Sequence, residues 1–222
     1  MDSDRIRIGF VGNIQIESVS ARYEDPKLLA PLLELYTKAD AMGLLPARPI
    51  VELSPATLKT VLDAFRSRGL LGTLPPRLET LLKGPPSERA TKDAVSALSA
   101  ILTAIDESPA PEKEWTAMRK VFVDDDLERL LNISPSSLKR YASTDRATPD
   151  DIADRLHWMA MVVAALSGSY NEIGIRRWFE RPRAQLDGRS PRDALGADWN
   201  PSSPDARKVR ELADSLASLG AT

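Results

Sequence analysis

Most of the chain carries apolar residues at the spacing of amphipathic helices. In one segment after another they recur three and four positions apart, so they fall on one face of a helix. Residues 5–19 differ, because apolar and polar positions alternate there and the pair Gly12-Asn13 interrupts the run, which predicts a short β-hairpin. The whole pattern predicts a mainly α fold. A mostly helical N-terminal domain, which can include that hairpin, precedes a helix-turn-helix domain and a C-terminal helical module.

Capping residues, prolines and glycines set the bounds of the predicted helices. In the first half of the chain these helices cover residues 26–42, 55–68 and 92–105. In the second half they cover residues 115–122, 124–131, 135–141, 149–166, 173–179, a short stretch after Pro191, and 204–219. The helix over 149–166 has the clearest core face, which consists of Ile152, Leu156, Met159, Val163 and Leu166.

Prolines and charged residues concentrate in residues 107–112, a composition that disfavours both a helix and a packed core. We therefore place a domain boundary at about residue 111. The predicted domains are residues 1–111, whose role the sequence does not reveal, residues 112–167, the helix-turn-helix domain, and residues 168–222, a C-terminal interaction domain.

Residue types exclude several classes of site. The chain has no cysteine, which excludes disulfides, thiolate nucleophiles, zinc fingers and iron–sulfur clusters. Its one histidine, His157, has no evident carboxylate partner nearby in the sequence and is interpreted as a partly buried structural residue. The acidic run Asp124-Asp125-Asp126 suits a helix N-terminus better than a metal site. We expect no catalytic residues, metal or cofactor, and hence no enzyme.

Hydropathy and charge limit the partners. No apolar run approaches the roughly 20 residues of a membrane span, and the N-terminus lacks the apolar core of a signal peptide, so we expect a cytoplasmic protein with no membrane partner. The net charge of −2 argues against indiscriminate coating of nucleic acid. It still allows a DNA-binding protein, because only the surface that faces the groove must be basic.

Residues 125–141 have the pattern of a helix-turn-helix. The first helix has one apolar face, made by Leu127, Leu130 and Leu131. Asn132 tolerates the left-handed conformation that turns the chain sharply, and Ile133 can fill the space between the two helices. Ser134 is a favourable N-cap for the second helix, and Pro135 suits its first position.

The second helix of this motif has the residues that a recognition helix needs. Hydroxyls near its N-terminus can approach base edges or phosphates, and the Lys and Arg one turn later can neutralise phosphates or pair with guanine. The candidate residues for binding double-stranded DNA are Ser134, Ser136, Ser137, Lys139, Arg140 and Tyr141. The alternative is a structural αα-hairpin whose polar face is only solvated.

Residues 53–59 repeat residues 133–139 almost position by position, including the Ser-Pro pair and the Leu-Lys that follows. One interpretation is a second DNA-binding module of the winged-helix type, in which Thr57, Lys59 and Arg66 would contact DNA. The other is two similarly capped helices, since Ser-Pro recurs along this chain.

A second informative stretch covers residues 176–195. It consists of Trp178, Phe179, Pro182, Leu186, the turn Gly188-Arg189-Ser190-Pro191, and Leu195. This order resembles the toxin-binding region of the Xre/MbcA/ParS family of antitoxins. The helix-turn-helix and the long helix also stand just upstream, as in that family, so the resemblance covers about residues 115–195.

The resemblance implies a homodimeric antitoxin that represses its own operon and neutralises a RES-domain toxin, an enzyme that consumes NAD or ADP-ribosylates its target. In this family the C-terminal part docks on the toxin. The candidate partner-binding residues are Arg181, Arg183, Arg189, Trp178 and Leu186, of which the arginines are the better candidates. The alternative for Trp178 is a packed helical corner.

About 110 residues precede the part that resembles the family. A second hypothesis is therefore a stand-alone transcription factor without a toxin partner, whose N-terminal domain binds DNA, another protein or RNA polymerase. A third, a purely protein-binding adaptor, would leave Lys139 and Arg140 without a role.

Overall fold

The computed structural model describes residues 8–9, 13–69 and 87–219 of the 222-residue chain. These residues are mainly helical, which confirms the predicted fold class. They belong to two compact units that meet in sequence between Ser108 and Pro109, close to the predicted boundary at about residue 111, and residues 41–43 group with the second unit.

The first unit contains a small sheet with the strand order β1-β2-β3. The strands are β1 (Ile8–Gly9), β2 (Ile14–Val19) and β3 (Ile50–Leu53). β1 and β2 pair antiparallel, as a hairpin requires, although Gly12 of the predicted turn lies outside the described residues. β3 pairs parallel to β2 and was not predicted, because four residues are too few to show a period.

Three helices accompany this sheet, namely α1 (Pro26–Ala41), α2 (Pro55–Arg66) and α3 (Glu88–Asp106). α3 begins four residues before the predicted start, because the Ser87 side chain accepts a hydrogen bond from the Ala90 N–H and caps the helix. Lys38 on α1 is only 3% exposed. Its Nζ pairs with Glu34 at 2.9 Å and with Asp106 at 2.8 Å, which ties α1 to the end of α3.

Every regular secondary-structure element in the described part of the second unit is a helix. Its helices are α4 (Pro111–Val121), α5 (Asp124–Leu131), α6 (Pro135–Ala142), α7 (Asp150–Leu166), α8 (Glu172–Glu180), α9 (Pro191–Leu195) and α10 (Pro204–Leu219). The prediction that residues 107–112 exclude a helix was wrong at its end, because Pro111 is the first residue of α4. Proline is tolerated there, since the first helical N–H has no partner within the helix.

α7 is the central helix of this unit. All five residues of its predicted core face are buried, but so are His157, Trp158 and most of its other side chains. A helix that is buried on every side lies inside a core rather than at its surface. α7 packs against α4 and α5 on one hand and against α10 on the other. The predicted domains 112–167 and 168–222 therefore share one core.

The sequence predicted no apolar segment long enough to span a membrane. None of the helices among the described residues combines the length and the apolar character that a bilayer crossing needs.

Candidate nucleic-acid interface

The turn between α5 and α6 is set by Asn132. Its φ is 52° and its ψ is 53°, which confirms the predicted left-handed conformation. The N–H of Ile133 then donates to the carbonyl of Glu128 at 3.0 Å, so the chain turns back over the last turn of α5. This arrangement brings α6 against α5 directly after the turn.

The loop between α9 and α10 holds this turn from outside. The Trp199 Nε1–H donates to the carbonyl of Leu130 at 2.7 Å, and the Asn132 Nδ2 donates to Asp198 Oδ1 at 3.0 Å. From α7, Arg155 Nη1 donates to the carbonyl of Leu131 at 3.2 Å. The last carbonyls of a helix have no partner within it. The Trp199 and Arg155 donors therefore satisfy two carbonyls that would otherwise need water.

Asn132→Ala should lower the free energy of unfolding by about 1–2 kcal/mol, because alanine adopts the left-handed region at that cost and lacks the short polar side chain that makes asparagine tolerant of it. Asn132→Gly should cost less, since glycine accepts this backbone and only the bond to Asp198 is lost. Asp198→Ala removes that bond alone and serves as the matched control. Urea unfolding of the three variants measures the difference, and an equal cost for glycine and alanine would refute the backbone explanation.

The start of α6 is fixed by its cap. Ser134 Oγ accepts a hydrogen bond from the Ser137 N–H at 3.2 Å and donates to Ser137 Oγ at 3.0 Å. It also lies 3.1 Å from Ser136 Oγ. The Ser134 hydroxyl, which was proposed to reach DNA, is therefore already engaged in capping the helix. Ser136 lies in the first turn and is exposed.

Tyr141 does not belong to the exposed face. It is only 7% exposed and its ring stacks on Trp115 of α4, with ring centroids 6.3 Å apart. Trp115 in turn donates its Nε1–H to Thr148 Oγ1 at 2.9 Å. The prediction of Tyr141 as a DNA contact is therefore corrected. Its position three residues after Leu138 places it on the buried side of α6, where it anchors the helix.

The basic side chains of α6 face solvent. Lys139 and Arg140 are exposed, and neither has an ion-pair partner in the part of the chain that the structure describes. Arg140 Nε donates to the carbonyl of Ser136 at 3.2 Å, so its side chain lies back along the helix toward the N-terminus. Ser137 is half-buried beneath this surface.

Sequence reasoning missed one cation beside these two. Thr144 has a φ of 62°, a conformation that a β-branched residue rarely adopts. It turns the chain so that the Arg146 N–H donates to the carbonyl of Arg140 at 3.2 Å, and Arg146 is exposed there with its guanidinium 5.8 Å from the Tyr141 ring centroid. We call Lys139, Arg140 and Arg146 the basic face. No local pattern indicated Arg146, because its place depends on the strained turn.

A buried polar pair lies between α4 and α7. His157 Nδ1 is 2.6 Å from Glu114 Oε1, and the Glu114 side chain is fully buried. Burial raises the pKa of Glu114 above its ordinary value, and the hydrogen bond between Glu114 and His157 opposes that rise. The sequence near His157 did not reveal this partner, because Glu114 stands 43 residues away and no local pattern shows it.

The acidic run at the start of α5 makes ion pairs. Asp124 accepts two hydrogen bonds from Arg119, from Nε and Nη2, each at 2.9 Å. Asp126 pairs with Arg192 of α9 at 3.0 Å. Two of the three carboxylates thus connect α5 to its neighbours, in addition to their favourable place at a helix N-terminus.

The C-terminal motif is mostly packed inward. Trp178 and Leu186 are each only 1% exposed, so their prediction as partner contacts is corrected: they form the inner side of the corner. Arg189 is half-buried and pairs with Asp205 of α10 at 3.1 Å, which engages it within the fold. Arg183 is also half-buried, with its guanidinium 5.5 Å from the Trp178 ring centroid. Of the predicted partner residues, only Arg181 is exposed.

The repeated motif in the first unit has a different setting. Strand β3, and not a helix, leads into α2, so the likeness lies in the cap: the Ser54 side chain accepts from the Thr57 N–H as Ser134 accepts from Ser137. Thr57 Oγ1 lies 2.9 Å from the Tyr36 hydroxyl, and Lys59 pairs with Asp63 at 2.5 Å. The residues after Gly69 that would form a wing lie outside the described residues.

The basic face is thus a group of three exposed cations on and just after α6, and the side chains that α6 buries are Leu138 and Tyr141, the latter stacked on Trp115. Its geometry is compatible with approach to a polyanion. Comparison of the chain with protein-family models, with curated proteins and with solved structures gives no match.

Proposed function

We propose that this protein is a sequence-specific DNA-binding transcriptional regulator that places α6 in the major groove. One observation carries the proposal. After the left-handed turn at Asn132, α6 buries Leu138 and Tyr141 and presents Lys139 and Arg140 to solvent without ion-pair partners among the described residues. A structural hairpin has no need of unpaired cations on its outer face, whereas a recognition helix does.

The charge distribution supports a local rather than a general attraction to DNA. The chain as a whole has a net charge of −2, so binding depends on where the cations stand. Lys139, Arg140 and Arg146 would neutralise phosphates or pair with guanine, while Ser136, near the helix N-terminus, would approach base edges. As the family resemblance implies, we further propose a cytoplasmic homodimer that represses its own operon.

Replacing Lys139 and Arg140 together by alanine should weaken binding to duplexes selected by the wild-type protein from a random-sequence library. If each cation contacts one phosphate, the plot of log affinity against log salt should become shallower by about 2. The matched control is Arg207→Ala with Lys208→Ala, an adjacent exposed pair on α10 that changes the net charge equally. Titrations by fluorescence anisotropy at several salt concentrations give both quantities.

An equal loss of DNA affinity in both double variants would mean that only the net charge of the protein matters. It would refute the proposal that α6 contacts DNA. An unchanged affinity and salt slope after Lys139→Ala with Arg140→Ala would move the DNA contact elsewhere. The first residues to replace would then be Thr57, Lys59 and Arg66.

Neutralisation of a RES-domain toxin is the second part of the proposal. It draws on the family resemblance and on Arg181, which is exposed at the end of α8 and has no ion-pair partner in the described part of the chain. Co-expression with the product of a neighbouring RES-domain gene tests it through rescue of growth. If the toxin stays fully active, the stand-alone transcription factor is favoured, with the N-terminal unit binding DNA, another protein or RNA polymerase.

A further inference from the structure

A cavity of about 160 Å³ lies against α8 in the second unit. It is lined by Tyr170, Gly174, Arg177, Trp178, Arg181 and Arg183, which we call the arginine pocket. Three of the six lining residues are arginines and none is acidic. The N–H and O–H groups of these side chains make the pocket rich in hydrogen-bond donors.

Two buried donors of this pocket lack acceptors. Trp178 is only 1% exposed, and its indole Nε1–H finds no hydrogen-bond partner among the described residues. The Nε of Arg183 is likewise buried without an acceptor. Buried N–H groups are nearly always paired in folded proteins, so two unpaired donors on residues that line one cavity favour an acceptor bound there.

The arginines of residues 176–195 fall into two groups, those with carboxylate partners among the described residues and those without. Arg189 pairs with Asp205 and Arg192 pairs with both Asp126 and Glu180, so these cations are compensated within the fold. Arg177 and Arg181 are exposed at the pocket, and the described residues supply no carboxylate to either. Like charges that share a cavity repel one another unless an anion lies between them.

The number of donors identifies the anion. A carboxylate offers two acceptor oxygens, whereas a phosphate monoester offers three strong ones and a charge close to −2 at neutral pH. Planar guanidinium groups bind phosphate through paired hydrogen bonds. A cavity of about 160 Å³ is large enough for one phosphate group.

We infer that the arginine pocket binds a phosphate group, which either a small phosphorylated molecule or free phosphate can supply. Arg177, Arg181 and Arg183 surround the oxygens, and the Trp178 indole N–H donates to one of them. The site shares Arg181 with the surface proposed to contact a toxin but no residue with the basic face, so it adds a small-molecule ligand to the proposed function and does not depend on DNA binding.

NMR of the indole N–H groups in the full chain tests this site without any substitution. Inorganic phosphate, phenyl phosphate and acetate are added separately, at constant ionic strength and at concentrations up to several millimolar. The Trp178 resonance should move and saturate with both phosphates. The Trp115 and Trp199 resonances should stay, because those indoles already donate to Thr148 and Leu130.

Variants then locate the contacts. Arg177→Gln and Arg181→Gln should each weaken phosphate binding about tenfold or more, since each removes a charge-assisted hydrogen bond. Arg129→Gln is the matched control, because Arg129 is exposed on α5 and does not line the pocket. Tighter binding of phenyl phosphate than of inorganic phosphate would support a phosphorylated metabolite. Equal binding would support free phosphate as the source.

Three results would overturn the inference. They are a Trp178 resonance that does not move with either phosphate, an equal response to acetate, and phosphate affinities that Arg177→Gln and Arg181→Gln leave unchanged. None of these results bears on the salt dependence of DNA binding, so failure here and failure of the proposed function can be told apart.

Discussion

Glu114→Ala should lower the free energy of unfolding by about 3–5 kcal/mol, the usual cost of removing one partner of a buried pair. Glu114 is fully buried and its Oε1 lies 2.6 Å from His157 Nδ1, so the substitution leaves a cavity and removes the contact between α4 and α7 at this point. The loss is measured by urea unfolding. Glu114→Gln is the matched variant, because it keeps the size and can still hydrogen-bond to the imidazole. A loss below 1 kcal/mol for alanine would contradict this role.

The same pair gives stability a dependence on pH whose sign follows from the direction of the pKa. Burial raises the pKa of Glu114 above its ordinary 4.5, so above that pH the folded protein keeps a proton that the unfolded chain releases. The contribution of Glu114 to stability is therefore present below about pH 4.5 and is lost as the pH rises through the folded-state pKa. The difference in unfolding free energy between wild type and Glu114→Gln should fall across this range. A difference that stays constant would show that the carboxyl is not perturbed.

Trp199→Ala should cost about 3–5 kcal/mol, as expected for truncation of a buried tryptophan. Trp199 is 3% exposed, packs edge-on against Trp158 with centroids 4.7 Å apart, and donates to the carbonyl of Leu130. Trp199→Phe keeps an aromatic ring in contact with Trp158 but removes the donor and part of the indole, so it should cost less, about 1–3 kcal/mol. Urea unfolding compares the two variants.

If the protein binds DNA through α6 as proposed, Trp199 should also affect that binding, since the carbonyl to which its indole donates lies two residues before Asn132. We expect Trp199→Ala to weaken DNA affinity at temperatures where the variant is still folded, and to leave the salt slope unchanged because no phosphate contact is removed. Faster amide hydrogen exchange at Ile133 would confirm that the turn has loosened.

In the unfolding experiment, equal destabilisation by Trp199→Phe and Trp199→Ala would mean that the indole donor, and not the ring packing, supplies the whole effect on stability.

Local signals allowed much of the helical structure to be predicted. The cap at Ser134 and the left-handed residue at Asn132 depend on neighbours within three or four positions, so a short stretch of sequence contains them. The candidate recognition helix could be placed for the same reason. Strand β3 could not, because its pairing with β2 depends on residues that are distant in the chain.

The inner and outer sides of the site were harder to predict. Trp178 and Leu186 were expected to contact a partner and are buried, and Tyr141 was expected to contact DNA and stacks on Trp115. In each case the deciding neighbour belongs to another helix, and helical periodicity says which residues share a face but not which face is covered. The partner of His157 and the position of Arg146 were missed for related reasons: one depends on a long-range contact and the other on a strained turn.

The hydrogen bond between Trp199 and the Leu130 carbonyl cannot form until the chain has been synthesised as far as residue 199. Leu130 leaves the ribosome 69 residues before the tryptophan that binds its carbonyl. At roughly 5–20 residues per second, synthesis of the intervening chain takes several seconds. During that interval the residues of α5, α6 and α7 have been synthesised, whereas those of α10, which packs against α7 in the folded unit, have not. A chain that ends before residue 199 therefore lacks both the indole donor to the Leu130 carbonyl and the helix that covers α7.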